Sequence, residues 1–310
     1  MKKVFITRKI PEIAKKILSR KFEVHSNKKN QPYPREKLLK IVQKYDAVLS
    51  TVTEKFDKSI LKNKDSLCVI SNYASGLDNI DINYAQSVGI SVYNTPDAVI
   101  DSTADLTFSI LLSLIRKIIP AQEFISGNKW KSWNPEILLG EELSGKSFGI
   151  LGFGRIGQAV GKRALGFGLK VFYYNRLEKK LNNKLSINAT AISLDELLEN
   201  SDYISVHLPL NDHTFKMINL DFFKKMKKTP VFLNMSRGEI VNTNDLVKAL
   251  NSNLIRGAAL DVVDPEPLPL NHSLYGFNNL ILVPHIGTAT VECRERMAKV
   301  AAENIVNHFY

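Results

Sequence analysis

The chain has 310 residues, enough for about two domains, and its 44% hydrophobic and 24% charged residues suit a globular protein with real cores. A formal net charge of +11 points to anionic partners, yet its lysines are scattered through amphipathic segments such as "EIAKKILSRK" and "DFFKKMKK". Without a basic stripe interleaved with aromatics, nucleic acid is set aside as a partner, and the chain is read as binding small anions.

Two cysteines, Cys68 in the apolar run "LCVIS" and Cys293 in a charged helical segment, have no second cysteine or histidine at zinc-ligand spacing. No metal is expected, Cys68 is read as a buried strand residue, and the compartment is read as reducing and cytoplasmic. The opening "MKKVFITRKIPE" lacks the apolar length of a secretory signal, and "LTFSILLSLI" (Leu106 to Ile115) is too short to cross a bilayer, so no membrane role is expected.

From the N-terminus, "VFIT", "FEVH", "DAVLSTV", "LCVIS" and "ISVY" read as strands, with helical patterns such as "PEIAKKILSR" and "REKLLKIVQK" between them. Apolar, β-branched runs alternating with helices predict βαβ units and a parallel sheet. One long apolar helix is predicted from Ala98 to Ile119, followed by Pro120 and an irregular Gly-, Trp- and Pro-rich stretch over Ser126 to Lys146. A second βα series starts at Ser147, with strands predicted at "SFGIL", "KVFYY", "YISVHL", "PVFLNM", "GAALDV" and "LILV". The fold class is α/β, with two doubly wound parallel-sheet, Rossmann-like domains.

"SFGILGFGRIG" places Gly152, Gly154 and Gly157 as G-x-G-x-x-G between a strand and the helical run "RIGQAVGKRALGFG". The first glycine permits a tight turn, the second lets backbone approach a pyrophosphate, and the third lets helix pack on strand. Arg155 and Ile156 lie inside this loop, at a helix N-terminus that points amides at phosphates. The next strand ends "YYNR", where an acid usually holds the ribose of NAD. Asn175 stands there instead and does not repel a phosphate, while Arg176 offers a planar cationic fork to one, with Lys179 and Lys180 adding field. The reading is NADP, preferred over NAD. The alternative is that Asn175 hydrogen-bonds the NAD ribose and Arg176 is solvated. His207, in "SVHLPL", is read as a wall of the adenine pocket, and Pro209 and Thr214 join the cofactor set.

Further polar groups follow apolar strands: Arg237 in "VFLNMSRGEIVN", Asp261 and Glu266 in "GAALDVVDPEPLP", and His285 in "LILVPHIGTAT". Ligands of open parallel sheets sit at the carboxyl ends of strands, so these groups should converge beside the cofactor. An arginine binds a carboxylate bidentately, a histidine exchanges a proton near neutral pH, and a glutamate beside it raises its proton affinity. Taken singly, Arg237 could be a turn arginine, Glu266 a loop charge and His285 a capping or core histidine; together, after a glycine loop, they form a set for reducing a carbonyl.

"LGFGRIGQ", "NMSRGEIVN", "LDVVDPEPLP" and "PHIGTAT" resemble the D-isomer-specific 2-hydroxyacid dehydrogenases, and "SGLDNIDINYAQSVGISVYNTPDAVIDSTADLTFSILLSLIRKI", "WKSWNPEILLGEEL" and "DFFKKMKKT" resemble their glyoxylate/hydroxypyruvate reductases. The resemblance is dense from about Val69 to the end; earlier residues match in pattern. It implies a dinucleotide-binding Rossmann domain at 99–285, inserted into a flavodoxin-like substrate domain made of 1–98 and 286–310, with an active-site cleft between them that closes by a hinge. It implies that Arg237 binds the substrate carboxylate and carbonyl oxygen, that His285 is the acid/base and Glu266 its partner. Backbone amides at Ser75 and Gly76 would hold the carboxylate, Asp261 would contact the nicotinamide amide, and Thr103 would line the nicotinamide pocket.

The stretch around Trp130 and Trp133 corresponds to the family's dimerisation arm, implying a homodimer. Asp105 stands where many relatives have Glu, a mild departure. The chain stops at Tyr310 without a regulatory tail, which argues against phosphoglycerate dehydrogenases that carry an effector domain. The expected activity is NADPH-dependent reduction of glyoxylate or hydroxypyruvate to a D-2-hydroxy acid. Rivals are an NAD-linked D-lactate or phosphoglycerate dehydrogenase, a phosphite dehydrogenase, and an NAD(H)-sensing, non-catalytic corepressor on the same scaffold.

Overall fold

A computed structural model of the chain describes residues 1–176 and 187–310. The chain divides into two compact units, Met1–Ile100 with Thr288–Tyr310, and Asp101–Gly287.

The first unit is built on a five-stranded parallel sheet of β1 (Lys3–Ile6), β2 (Glu23–Ser26), β3 (Ala47–Ser50), β4 (Val69–Asn72) and β5 (Ser91–Tyr93), in the order β2-β1-β3-β4-β5. Central β3 and β4 are buried along their whole length and are correspondingly apolar or small except for Asn72, whereas edge strand β2, "EVHS", alternates between exposed and half-buried residues. One face packs on a cluster that includes Leu38, Ile41, Val42, Phe56, Ile60 and Ile70. On β3 and β4 also lies the C-terminal helix Val291–Phe309, which buries Met297, Ala298, Ala301, Ala302 and Ile305. Cys293 begins that buried stripe, its Sγ 3.3 Å from Ala98 O. Cys68, read as a buried strand residue, instead sits just before β4 and is only half-buried. Its apolar neighbours reflect the strand that starts one residue later.

The direction of strand addition in this sheet reverses between β1 and β3, where a doubly wound sheet commonly opens a ligand crevice. Here that point is filled from within. The Glu54 carboxylate, 1% exposed, accepts hydrogen bonds from Thr7 Oγ1 (2.8 Å), Tyr33 N (3.1 Å), Thr51 N (3.0 Å), Thr51 Oγ1 (2.9 Å) and Thr53 Oγ1 (2.8 Å). So many donors allow a buried carboxylate to replace its water.

The second unit carries a seven-stranded parallel sheet: β6 (Ser147–Leu151), β7 (Lys170–Tyr174), β8 (Ala189–Ala191), β9 (Tyr203–Val206), β10 (Val231–Asn234), β11 (Gly257–Leu260) and β12 (Leu280–Leu282). Its order is β12-β11-β10-β9-β6-β7-β8, with the reversal between β6 and β9. Apolar clusters lie on its two faces, one containing Ile204, Phe223, Phe232 and Ala258, the other Phe108, Phe148, Tyr203 and Leu233.

The single helix predicted over Ala98 to Ile119 is two helices, Ile100–Ile115 and Ile118–Ser126, joined through Lys117 in the left-handed region (φ 52°). Apolar residues flank the joint on both sides, and Arg116 and Lys117 at the joint could equally lie on the solvent face of one continuous helix, so sequence pattern does not show it. Pro120 lies in the first turn of the second helix, where its missing N–H removes no helical bond. That helix has no buried residue, and Glu141 N donates to Ile115 O (3.1 Å), so the segment after Ile115 leaves and returns at one point. No helix among the described residues is long and apolar enough to cross a membrane.

Candidate active site

The reversal between β6 and β9 places the loop after Leu151 beside the loop after Val206. Gly152 lies at φ 93°, and a Cβ there would stand 2.7 Å from His207 O, so only glycine lets the two strand ends come this close. A Cβ at Gly157 would meet Gly152 O at 2.2 Å, which fixes the third glycine by packing. At Gly154 the same construction meets nothing within 4 Å. The helix Arg155–Gly166 starts there without a side-chain cap, and Arg155 is exposed. Uncapped amides and partial positive charge at the head of a long helix, with open space before them, suit a pyrophosphate. Ile156 packs into the core below. This loop therefore fits a dinucleotide.

Asn175, at the end of β7, accepts a hydrogen bond from Phe153 N at its Oδ1 (2.7 Å), and the Phe153 ring stacks on Tyr173 with centroids 4.1 Å apart. Asn175 thus braces the glycine loop. Arg176 follows it, exposed. Lys179 and Lys180 lie outside the described residues.

His207 follows β9. Its Nε2 is 2.8 Å from Ser205 Oγ, its Nδ1 is buried without a partner among the described residues, and burial pushes its imidazole down to about 3. It is uncharged at working pH, even though the residue as a whole keeps partial exposure. Thr214 Oγ1 donates to Pro209 O (2.7 Å) and accepts from Asn211 N (2.9 Å), so its hydroxyl folds the loop that follows His207.

The strand-end groups are laced together by backbone. Asn234, 1% exposed at the end of β10, closes the turn carrying Arg237: its Oδ1 accepts from Ser236 N (3.1 Å) and its Nδ2 donates to Arg237 O (2.9 Å). Ser236 Oγ donates to Leu208 O, and Arg237 Nη1 donates to Ser236 O (2.8 Å). A Cβ at Gly238 would stand 1.9 Å from Val263 O, so the Arg237 loop lies directly on the chain leading to Glu266. Thr243 Oγ1 donates to Asp264 O (2.5 Å) and ties the same loop from below.

His285 Nδ1 is 2.8 Å from Glu266 Oε1, with both side chains partly exposed. A carboxylate on Nδ1 sets the ring so that Nε2 faces away as the proton-exchanging atom. The His285 backbone adopts φ 52°, a costly conformation for a residue with a Cβ. Asp261 holds it there. Its carbonyl accepts from His285 N (2.9 Å), its Oδ1 from Ile286 N (2.6 Å) and its Oδ2 from Gly287 N (2.9 Å). Burial pushes the Asp261 carboxyl up, opposed by those two amides and by nearby His285. Gly287 O in turn accepts from Ser102 Oγ (2.8 Å) and Thr103 Oγ1 (3.4 Å).

Arg237, Asp261, Glu266 and His285 therefore follow consecutive strands in the same unit as the glycine loop, Thr103 joins them from the helix Ile100–Ile115, and Ser75 and Gly76 belong to the first unit. Sequence reading missed Asn234 and the clamping role of Asp261. An asparagine ending an apolar strand before "MSRG" was the available signal for the first. Among the described residues, no group of three or more His, Cys, Asp or Glu is placed to hold a metal.

A family model described as "D-isomer specific 2-hydroxyacid dehydrogenase, NAD binding domain" matches residues 108–287. The chain is 45% identical to a glyoxylate reductase of Thermococcus litoralis, over 98% of this chain and 92% of that one. Among solved structures, it is similar to an NADPH-dependent glyoxylate/hydroxypyruvate reductase of Sinorhizobium meliloti in complex with NADP and malonate (TM-score 0.87, 27% identity, 99% of this chain and 93% of that one). It is also similar to a D-lactate dehydrogenase of Aquifex aeolicus complexed with NAD and lactic acid (TM-score 0.85, 25% identity, 99% and 95%). With a glycine loop fit for a nicotinamide dinucleotide and these matches over nearly the whole length, the chain belongs to the D-isomer-specific 2-hydroxyacid dehydrogenases.

Proposed function

We propose that the protein is an NADPH-preferring reductase of small 2-keto acids, glyoxylate and hydroxypyruvate, yielding D-2-hydroxy acids. The observation that carries the reading is the His285–Glu266 pair at 2.8 Å, on a loop against which the Arg237 turn is packed. A bound nicotinamide supplies the hydride at C4. The chain supplies the rest. Arg237 takes the substrate carboxylate and polarises its carbonyl oxygen, and the backbone amides of Ser75 and Gly76 share the carboxylate. Protonated His285, oriented by Glu266, gives the Nε2 proton to the oxygen that becomes the hydroxyl. Gly152, Gly154, Arg155, Ile156 and Gly157 hold the pyrophosphate, and Thr103 and Asp261 border the nicotinamide. His207, Pro209 and Thr214 wall the adenosine side.

Exposed Arg176 and uncharged Asn175 favour the 2′-phosphate of NADP. The NADPH-dependent relative supports this, while the NAD-bound lactate dehydrogenase marks the competing cofactor. We further propose a cytoplasmic homodimer. Its support is the excursion after Ile115, which exposes Ile118, Ile119, Ile125, Trp130, Trp133 and Leu139, an apolar set that a second copy would cover.

The test is keto-acid-dependent oxidation of NADPH and of NADH, compared as kcat/KM with glyoxylate, hydroxypyruvate and pyruvate. NADPH should win with the first two acids. A clear NADH preference would reduce Arg176 to a surface charge, and no oxidation with any of the three would refute the substrate reading.

A further inference from the structure

We propose that Asn72 and Asn94 are positioning residues for substrate binding, acting through the loop Ala74–Gly76 rather than touching the substrate. The inference rests on the reading that this loop takes the keto-acid carboxylate, and it says what makes the loop an anion site.

Three successive carbonyls of the loop are each held by a donor from the ends of β4 and β5. Ala74 O accepts from Thr95 N (2.8 Å), Ser75 O from Asn94 Nδ2 (2.6 Å) and Gly76 O from Asn72 Nδ2 (3.0 Å). In a planar trans peptide the carbonyl of one residue and the N–H of the next point in opposite directions. Fixing the carbonyls of Ala74, Ser75 and Gly76 toward the unit's own donors therefore turns the N–H groups of Ser75, Gly76 and Leu77 away from them. None of these three N–H groups has an acceptor among the described residues. Consecutive outward amides form a nest for an anion, with partial positive charge that no side chain supplies.

Both asparagines are themselves built in. Asn72 is fully buried: its Oδ1 accepts from Ser50 Oγ (3.0 Å), and its Nδ2 also donates to Asn79 Oδ1 (3.0 Å). Asn79 continues the chain to Thr51 O (3.0 Å) and Glu54 O (2.8 Å). Behind Asn94, Asn304 Nδ2 on the C-terminal helix holds its carbonyl (3.1 Å). The crevice at this sheet's reversal point is already filled by Glu54, so the loop after β4 is left to face the anion.

An aspartate at either position keeps the shape and reverses the chemistry. At 94 it would set a carboxylate oxygen against Ser75 O, favouring a flipped peptide, and add negative charge beside the nest. The test uses the full-length enzyme with Asn94→Ala, Asn94→Asp and Asn72→Asp, measuring KM for glyoxylate, kcat, NADPH binding by fluorescence and thermal unfolding. Arg237→Lys runs alongside as a marker of the carboxylate site itself. For Asn94→Ala the expected result is a KM raised about tenfold, with kcat and NADPH affinity within about twofold of wild type. Asn94→Asp and Asn72→Asp should raise KM further. If Arg237→Lys raises KM while the Asn94 variants do not, the positioning role is overturned and the carboxylate reading stands. If neither position affects KM, both fall. If the asparagine variants lose kcat, NADPH affinity and melting temperature together, the residues are only structural, which also overturns the proposal.

Discussion

Gly238→Ala should separate the Arg237 turn from the chain that carries Glu266. A Cβ at this position would lie 1.9 Å from Val263 O, 2.0 Å from Val263 C and 2.6 Å from Asp264 N, where real Cβ atoms keep at least 3.0 Å. The obstructing atoms are all backbone, so no side-chain rotation relieves the clash, and one loop must withdraw by about 1.1 Å, the difference between 3.0 and 1.9 Å. Forced overpacking costs about 1–3 kcal/mol of stability. A displacement of this size in a reacting constellation costs on the order of 10²-fold in rate. The assay is kcat/KM for glyoxylate with NADPH, together with NADPH binding and thermal unfolding. We expect kcat/KM to fall about 100-fold while NADPH still binds, because the glycine loop stands on β6 and is not part of this contact. Wild-type kcat/KM in a variant that melts normally would refute the view that the close contact of these loops sets the site.

Asp261→Asn keeps the shape but turns one acceptor into a donor facing Ile286 N or Gly287 N; kcat should fall about 10- to 100-fold as His285 loses its backbone clamp. An unchanged kcat would show that the left-handed turn holds without it. His207 makes stability pH-dependent. With its imidazole pushed from 6.5 down to about 3, the unfolded chain takes up a proton below pH 6.5 that the folded chain refuses. This contribution is therefore intact above pH 6.5 and is lost by about 1.4 kcal/mol per pH unit as pH falls toward 3. Urea midpoints of wild type and His207→Gln between pH 7 and 5 check it, the variant showing the shallower decline. Ile125→Ser with Trp133→Ser should yield monomers in sedimentation velocity without lowering the melting temperature of the unit, because both side chains are exposed in the single chain. A wild-type protein that sediments as a monomer would contradict the dimer.

What was legible in the sequence follows from what patterning can carry. β6 and β7 match the segments "SFGIL" and "KVFYY" residue for residue: β6 is fully buried and ends at the glycine loop, and β7 is a β-branched and aromatic run that starts just past Gly168. Edge strand β8, "ATA", was not recognised, since three small or polar residues carry no alternation. The joint at Lys117 is hidden for a different reason: the apolar residues on either side of Arg116 and Lys117 also fit one continuous helix. At the site, residue types predicted chemistry: Arg237, Glu266 and His285 were picked out because their groups suit a keto acid. What holds them was not visible. Asp261 clamps the backbone after His285, Asn175 braces the glycine loop, and Glu54, to which the sequence assigns no role, is buried under five donors. These roles depend on contacts between residues distant in sequence, which no local pattern encodes.

The central claim is that His285, held by Glu266, delivers the proton in keto-acid reduction. The most direct measurement is glyoxylate-dependent oxidation of NADPH by wild type and His285→Ala at equal concentrations, with NADPH binding confirmed for both. The account predicts that turnover falls by about two to four orders of magnitude while the cofactor still binds. Equal turnover in the two proteins would contradict it.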